Sequence, residues 1–230
     1  MNDSRPVGFF DSGVGGLSIL WAFQKLCPDE KTVYIADSKN CPYGSKSAAE
    51  IISLSRSHTR TLVEEHNCKI VVVACNTATA AAIDTLRREW PEIPFVGIEP
   101  AVKPAALSSS TGVVGVLATQ GTFNGRLYNE TKARFAKDVT IVATVADEFV
   151  LLVEKYVTVD GIARPLEEID EVMDAVKKRI EPILAAGADR IVLGCTHFPH
   201  LKKAIESITA GRAEVIDPSD AVARQIKRFL

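Results

Sequence analysis

The chain has 230 residues, 47% hydrophobic and 24% charged, which suffices to bury one large core or two smaller ones. Its 27 basic and 29 acidic residues are interspersed and leave a formal net charge of −2, so no basic stripe exists to neutralise a phosphate backbone and nucleic acid is not an expected partner. The first seven residues lack a basic segment followed by an apolar one, and the most apolar run, 70–83, is interrupted by Asn76, Thr77 and Thr79, so a soluble, cytoplasmic chain with no membrane segment is expected.

In chain order, a β-branched run over 7–10 ends at Asp11 and Ser12 and is followed by Gly13-Val14-Gly15-Gly16. Leu17, Leu20, Phe23 and Leu26 then recur at helical spacing until Pro28. A strand is predicted over 32–36, and Pro42-Tyr43-Gly44 reads as a turn with a packed aromatic. The next helix carries Ile51, Leu54, Thr59, Leu62 and Val63 inward, which places His58 and His66 on its exposed face with no assigned role. The strand 70–75 ends in Cys75-Asn76-Thr77, and the helix after it stops before Pro91. A strand at 95–98 leads to the passage 100–111, whose Pro104 and serines 108–110 suggest the crossing between domains. Strands follow at 113–119, ending in Thr119-Gln120-Gly121-Thr122, and at 139–143. Ile169, Val172, Val176, Ile180 and Ile183 mark another helix, with Pro182 as a kink or break and Gly187 as its stop. The last strands are 190–195, ending in Cys195-Thr196-His197, and 214–216.

Short apolar strands alternating with amphipathic helices give an α/β protein, and eight strands suit two small, mainly parallel sheets. An internal echo supports two related halves. The stretches from Ile70 to Ala78 and from Arg190 to Phe198 are both apolar strands ending in a cysteine and small polar residues.

Ligands of open parallel sheets bind beyond the carboxyl ends of the strands, where these polar residues gather. The glycine segment has neither the lysine of a P-loop nor the spacing of a dinucleotide fold. Asp11 is placed to cap the following helix, a role compatible with catalysis. Five cysteines, at 27, 41, 68, 75 and 195, are an odd number without a C-x-x-C pair, and histidines 58, 66, 197 and 200 show no zinc spacing. A reducing compartment is expected, with no disulfide framework and no structural metal. Cys27, Cys41 and Cys68 read as small core hydrophobes. Cys75 and Cys195 each end a strand before a helix N-terminus, where the helix dipole favours a thiolate. From the sequence alone His197 is either an exposed loop residue or their partner.

The blocks Phe10-Asp11-Ser12-Gly13-Val14-Gly15-Gly16-Leu17-Ser18, Pro42-Tyr43-Gly44, Ala74-Cys75-Asn76-Thr77-Ala78-Thr79 and Gly194-Cys195-Thr196-His197-Phe198-Pro199, in this order, resemble the glutamate racemase family of the aspartate/glutamate racemase superfamily. The resemblance implies two pseudo-symmetric, three-layer α/β domains with glutamate in the cleft between them and no pyridoxal phosphate, other cofactor or metal. The expected division puts 1–98 plus 208–230 in the domain carrying Asp11 and Cys75, and 99–207 in the one carrying Cys195 and His197. It further implies Cys75 and Cys195 as catalytic acid/bases, with Asp11 and His197 as their helpers and Glu154 orienting the histidine. Asp11, Ser12, Tyr43, Gly44, Asn76, Thr77, Thr196 and His197 match the family's substrate contacts, and Thr119 matches more loosely. A homodimer and a product, D-glutamate, destined for peptidoglycan are also implied. The alanine in Glu99-Pro100-Ala101, where a glycine is common, departs from the family pattern.

Racemisation removes the Cα proton on one face and returns one on the other, so two acid/base groups must flank a flat intermediate. Two thiols suit that geometry. A racemase for aspartate or another amino acid, a non-enzymatic amino-acid-binding protein and a redox pair of cysteines stand as competing readings.

Overall fold

The computed structural model describes residues 3–158, 160–162 and 164–230. Strand β1 (Val7–Asp11) is buried at all five positions, as it must be when both faces of its sheet are covered. It pairs in parallel with β2 (Thr32–Ala36) and β3 (Ile70–Val73), and β3 pairs with β4 (Phe95–Gly97). Helices α1 (Leu17–Leu26), α2 (Ala48–Arg60) and α3 (Asn76–Glu89) form the crossovers. Ser47 caps α2 by accepting from the Glu50 amide at 3.3 Å, and the helix runs on through a π-helical turn over Thr61–Glu65. Alternate strand residues serve opposite faces: Phe9 and Val72 pack with α1, Phe10 and Val71 with α2 and α3.

The passage 100–111 is the crossing to the second sheet, but most of it is helix α4 (Val102–Ser108), with Pro104 in its first turn, where a missing N–H costs nothing. The serines after it are anchored. Asp189 accepts from Ser109 Oγ at 2.6 Å and from the Ser110 amide and hydroxyl at 2.7 Å. Beyond it, β5 (Val113–Ala118) leads through α5 (Gln120–Phe123) and α6 (Arg126–Phe135) to β6 (Thr140–Val145). Helix α7 (Asp147–Tyr156) then runs into a small hairpin, β7 (Val157–Thr158) with β8 (Gly161–Ile162), which the sequence reading does not anticipate. Helix α8 (Asp170–Ala185) continues through Pro182 and stops at Gly187, whose φ of +83° suits glycine. Strand β9 (Arg190–Leu193), α9 (Lys202–Thr209), β10 (Glu214–Ile216) and α10 (Ser219–Lys227) complete the chain.

The two sheets run β2-β1-β3-β4 and β6-β5-β9-β10, the same order of second, first, third and fourth strand. The internal echo therefore marks equivalent places, β3 in one sheet and β9 in the other. Within the 208–230 segment the two elements go to different neighbours. Strand β10 pairs with β9, Glu214 opposite Arg190, because β9 offers an open edge there, and only α10 returns to pack on α1. One continuous core joins the lobes, from Phe9 and Val72 through α1 to Phe198, Ile191 and Leu193.

Candidate active site

The carboxyl ends of β1, β3, β5 and β9 converge on one cavity. Ser12, Tyr43, Gly44, Cys75, Asn76, Thr77, Thr119, Cys195, Thr196 and His197 all line it, together with Pro42 and Val150. Its volume is about 10 Å³, the space of one water molecule, so the lobes are closed on each other. Thr77 and Thr119 meet across the closure with hydroxyls 3.1 Å apart, and Thr196 Oγ1 donates to Asp11 Oδ1 at 3.4 Å. A larger cavity of about 490 Å³ lies beside Trp21, Leu166 and His200, but it shares no lining residue with the thiol site, so its size does not mark the chemistry.

Fully buried His197 makes two contacts of unequal kind. Nε2 is 2.6 Å from Glu154 Oε1, and Nδ1 is 3.7 Å from the Cys195 sulfur. A carboxylate only accepts, so Nε2 carries a hydrogen, and in the neutral imidazole the Nδ1 lone pair then faces the thiol. Glu154 comes from α7 and also accepts from the Val14 amide at 2.7 Å. Although burial raises its carboxyl pKa, the bonds from His197 and Val14 bring it below the ordinary value. The glycine segment explains why this pair fits. A Cβ on Gly13 would overlap the Glu154 carboxylate, and one on Gly15 would overlap the His197 ring. These glycines clear space for side chains, not for a phosphate.

Around Cys75 the arrangement differs. The sulfur accepts from the Ala78 amide at 3.4 Å, capping α3, and lies 3.9 Å from Ser12 Oγ. Asp11, wholly buried, accepts from the amides of Gly16 at 2.9 Å and Gly13 at 3.3 Å, so it does cap the turn into α1. No hydrogen bond joins Asp11 to Cys75 among the described residues; its influence there is that of a nearby charge. Burial raises the Asp11 pKa, against the charge of His197 and the amide bonds.

The expectation that helix N-termini leave these thiols ready to ionise needs correction. Burial first, and then the Asp11 charge, push Cys75 up to about 12, outweighing the Ala78 amide. Cys195 is pushed well above its ordinary value, chiefly by burial, and is followed by a 3-10 turn over Phe198–Leu201 before α9 begins. Burial thus holds the proton on both thiols more firmly than on a free cysteine.

Two further residues depart from expectation. Cys41, taken for core, is only half-buried, and its sulfur lies with Glu154 and His197 in a group whose donor atoms are within 4.8 Å of one another. His58, taken for exposed, is half-buried and brings Nε2 to 3.0 Å from Asp37. That carboxylate accepts from the buried Tyr43 hydroxyl at 2.7 Å and from Asn40, and so steadies the Pro42-Tyr43-Gly44 turn against the cavity. Asp37 carried one sequence signal, an acid at a strand end. By contrast, Cys27 and Cys68 are buried as expected, and His66 is exposed.

The chain as a whole has counterparts among known proteins. The profile of the Asp/Glu/Hydantoin racemase family matches residues 18–226. The chain belongs to that family. This racemase is 45% identical over 226 residues to a glutamate racemase of Herpetosiphon aurantiacus, covering 98% of this chain and 85% of the relative. It is 43% identical over 231 residues to the glutamate racemase of Ectopseudomonas mendocina, covering 100% and 84%. Its fold matches Escherichia coli glutamate racemase, in complex with L-glutamate and the activator UDP-MurNAc-ala, with a TM-score of 0.85 and 35% identity over 98% of this chain and 82% of that one. The glutamate racemase of Francisella tularensis in complex with D-glutamate matches with a TM-score of 0.80 and 27% identity over 99% and 81%. The α/β class with two mainly parallel sheets is thus common to this racemase and those structures. No described helix is long and apolar enough to cross a membrane.

Proposed function

We propose that this racemase interconverts L- and D-glutamate without a cofactor, Cys75 and Cys195 serving as acid/bases on opposite faces of Cα. The observation that carries the reading is the pair of buried thiols on topologically equivalent strand ends, lining one cavity. Named relatives at 45% and 43% identity support glutamate as the substrate. The lobes, 1–98 with 208–230 and 99–207, open to admit it and then close, because glutamate cannot enter a space of about 10 Å³.

Once inside, the substrate ammonium sets a positive charge beside the thiols and lowers their pKa, offsetting burial. Asn76 supports that placement. Its Nδ2 donates to the Ile98 carbonyl at 3.5 Å, which leaves Oδ1, buried without a partner among the described residues, as an acceptor for the ammonium. On the Cys195 side, His197 Nδ1 takes the thiol proton and Glu154 stabilises the resulting imidazolium. The thiolate then removes the Cα proton of L-glutamate while the Cys75 thiol protonates the other face; D-glutamate reacts in the reverse sense. Hydroxyls of Thr77 and Thr196 and backbone N–H groups stabilise the negative charge that spreads onto the α-carboxylate. The family resemblance extends the reading to Ser12, Tyr43, Gly44 and Thr119 as substrate contacts, and to a cytoplasmic homodimer that supplies D-glutamate to peptidoglycan.

The test is where solvent hydrogen enters. In deuterium oxide at low conversion, D-glutamate formed from L-glutamate should carry deuterium at Cα while unreacted L-glutamate stays protiated, read by mass spectrometry of the separated enantiomers. Substantial protium in the new D-glutamate would mean one base serving both faces, and the two-thiol assignment would fail.

A further inference from the structure

Cys41 is a half-buried thiol with no part in the proton transfers above. Its sulfur, a Glu154 carboxylate oxygen and a His197 ring nitrogen lie within 4.8 Å of one another, brought together from the loop after β2, from α7 and from the loop after β9. We propose that these three residues form a binding site for a thiophilic divalent cation, Zn²⁺ in the first instance, and that its occupation switches the racemase off.

A thiolate, an imidazole and a carboxylate are the donors zinc takes, and three protein ligands leave a fourth position for water. Donors around tetrahedral zinc sit about 3.3–3.7 Å apart, so the Cys41 sulfur must approach by up to about 1 Å while His197 Nε2 and Glu154 Oε1, now 2.6 Å apart, part to admit the ion. His197 and Glu154 are already held, the histidine by burial and the glutamate by the Val14 amide, so their orientation costs little. On binding, the Cys41 thiol gives its proton to water and the thiolate coordinates the metal, while the Nε2 hydrogen of His197 is lost to solvent and Nδ1 takes one up, giving the Nδ1–H tautomer, so that Nε2 is free to ligate. The same ion occupies Glu154 and His197, and the imidazole is no longer free to accept from Cys195. The binding follows from geometry alone, whereas the inhibition rests on the proposed pairing of His197 with Cys195. Residues 41, 154 and 197 lie too far apart in sequence for any spacing rule to reveal the site.

Cobalt(II) reports a thiolate ligand by its charge-transfer absorption and gives a readout that needs no turnover. The full-length protein, dialysed against chelator, is titrated with Co²⁺ and then with Zn²⁺. The charge-transfer band is expected in the native protein and in Cys75→Ala and Cys195→Ala, and is expected to be lost in Cys41→Ser, Cys41→Ala and His197→Asn. In the Cys41 variants the Zn²⁺ concentration for half-inhibition should rise at least about tenfold, with circular dichroism confirming the fold. A band that survives in both Cys41 variants, or that vanishes in Cys75→Ala or Cys195→Ala, overturns the site. The expected band pattern without inhibition by zinc overturns the switch and counts against His197 as the partner of Cys195, while the isotope result continues to judge the two thiols separately.

Discussion

The half-sites around Cys75 and Cys195 stand on equivalent strands of two sheets with the same strand order, yet they are furnished differently. Cys195 faces an imidazole that is itself held by a carboxylate, a chain of contacts at 3.7 and 2.6 Å. Cys75 has a backbone amide, a serine hydroxyl and, without direct contact, a buried aspartate. A repeated scaffold thus fixes where the sulfurs go, while the residues that manage their protons come from unrelated segments. Part of the furnishing is even crossed between lobes, since Glu154 from α7 receives a hydrogen bond from Val14 of the first lobe. The difference predicts equal dependence on the two sulfurs and unequal dependence on their helpers.

The largest effect should come from the sulfurs. Cys75→Ala and Cys195→Ala should each lower kcat by about 10²–10⁴-fold or more with the fold intact, measured by the decay of optical activity of L-glutamate. A loss of only a few-fold in either would break the equivalence. Next is Gly15→Ala, whose new Cβ would overlap the His197 ring. Displacing the ring by an ångström should cost about 10²-fold in kcat. An active Gly15→Ala protein would show that the ring position is unimportant.

Smaller effects separate the helpers. His197→Asn and Asp11→Asn should lower kcat more than they raise KM, because a proton-transfer helper acts in the transition state, and His197→Asn should be the more damaging, since of these two only His197 touches a sulfur. A pure rise in KM would make either a binding residue. The smallest effect is on stability in alkali. Because the Cys75 pKa rises from 9.0 to about 12 on folding, its proton is held more tightly in the folded chain. That contribution is fully present below pH 9 and is lost as pH rises toward 12. Between pH 8 and 10 the native protein should therefore lose about 1 kcal/mol more stability in urea titrations than Cys75→Ala does.

Much of the fold was legible because short β-branched and apolar runs stand out between helical stretches: the runs at 32–36 and 214–216 match β2 and β10 end for end. The sheet that a strand joins was not legible, since β10 sits in the second sheet by virtue of an open edge on β9 that no local pattern announces. The two thiols stood out as candidates by their places at strand ends, whereas His197 was open between an exposed loop residue and their partner until its burial against Cys195 was seen. Cys41 and His58 were not readable, because their surroundings are made by residues more than twenty positions away, or from the other lobe. The glycine segment carried a real signal whose meaning was steric: what it admits became visible only when Glu154 and His197 were in place.

The tightness of the closed cavity has a bearing on survival in an oxidising or electrophilic environment. Peroxides and alkylating agents attack the thiolate, and they must reach it first. In the resting enzyme the two sulfurs are 5% and 8% exposed residues with their protons held by burial, so they are shielded both from contact and from ionisation. On the proposed opening of the lobes, reactivity is released only while they part for a substrate. Chemical damage to this racemase should therefore accumulate with the number of turnovers completed, not with the time spent waiting.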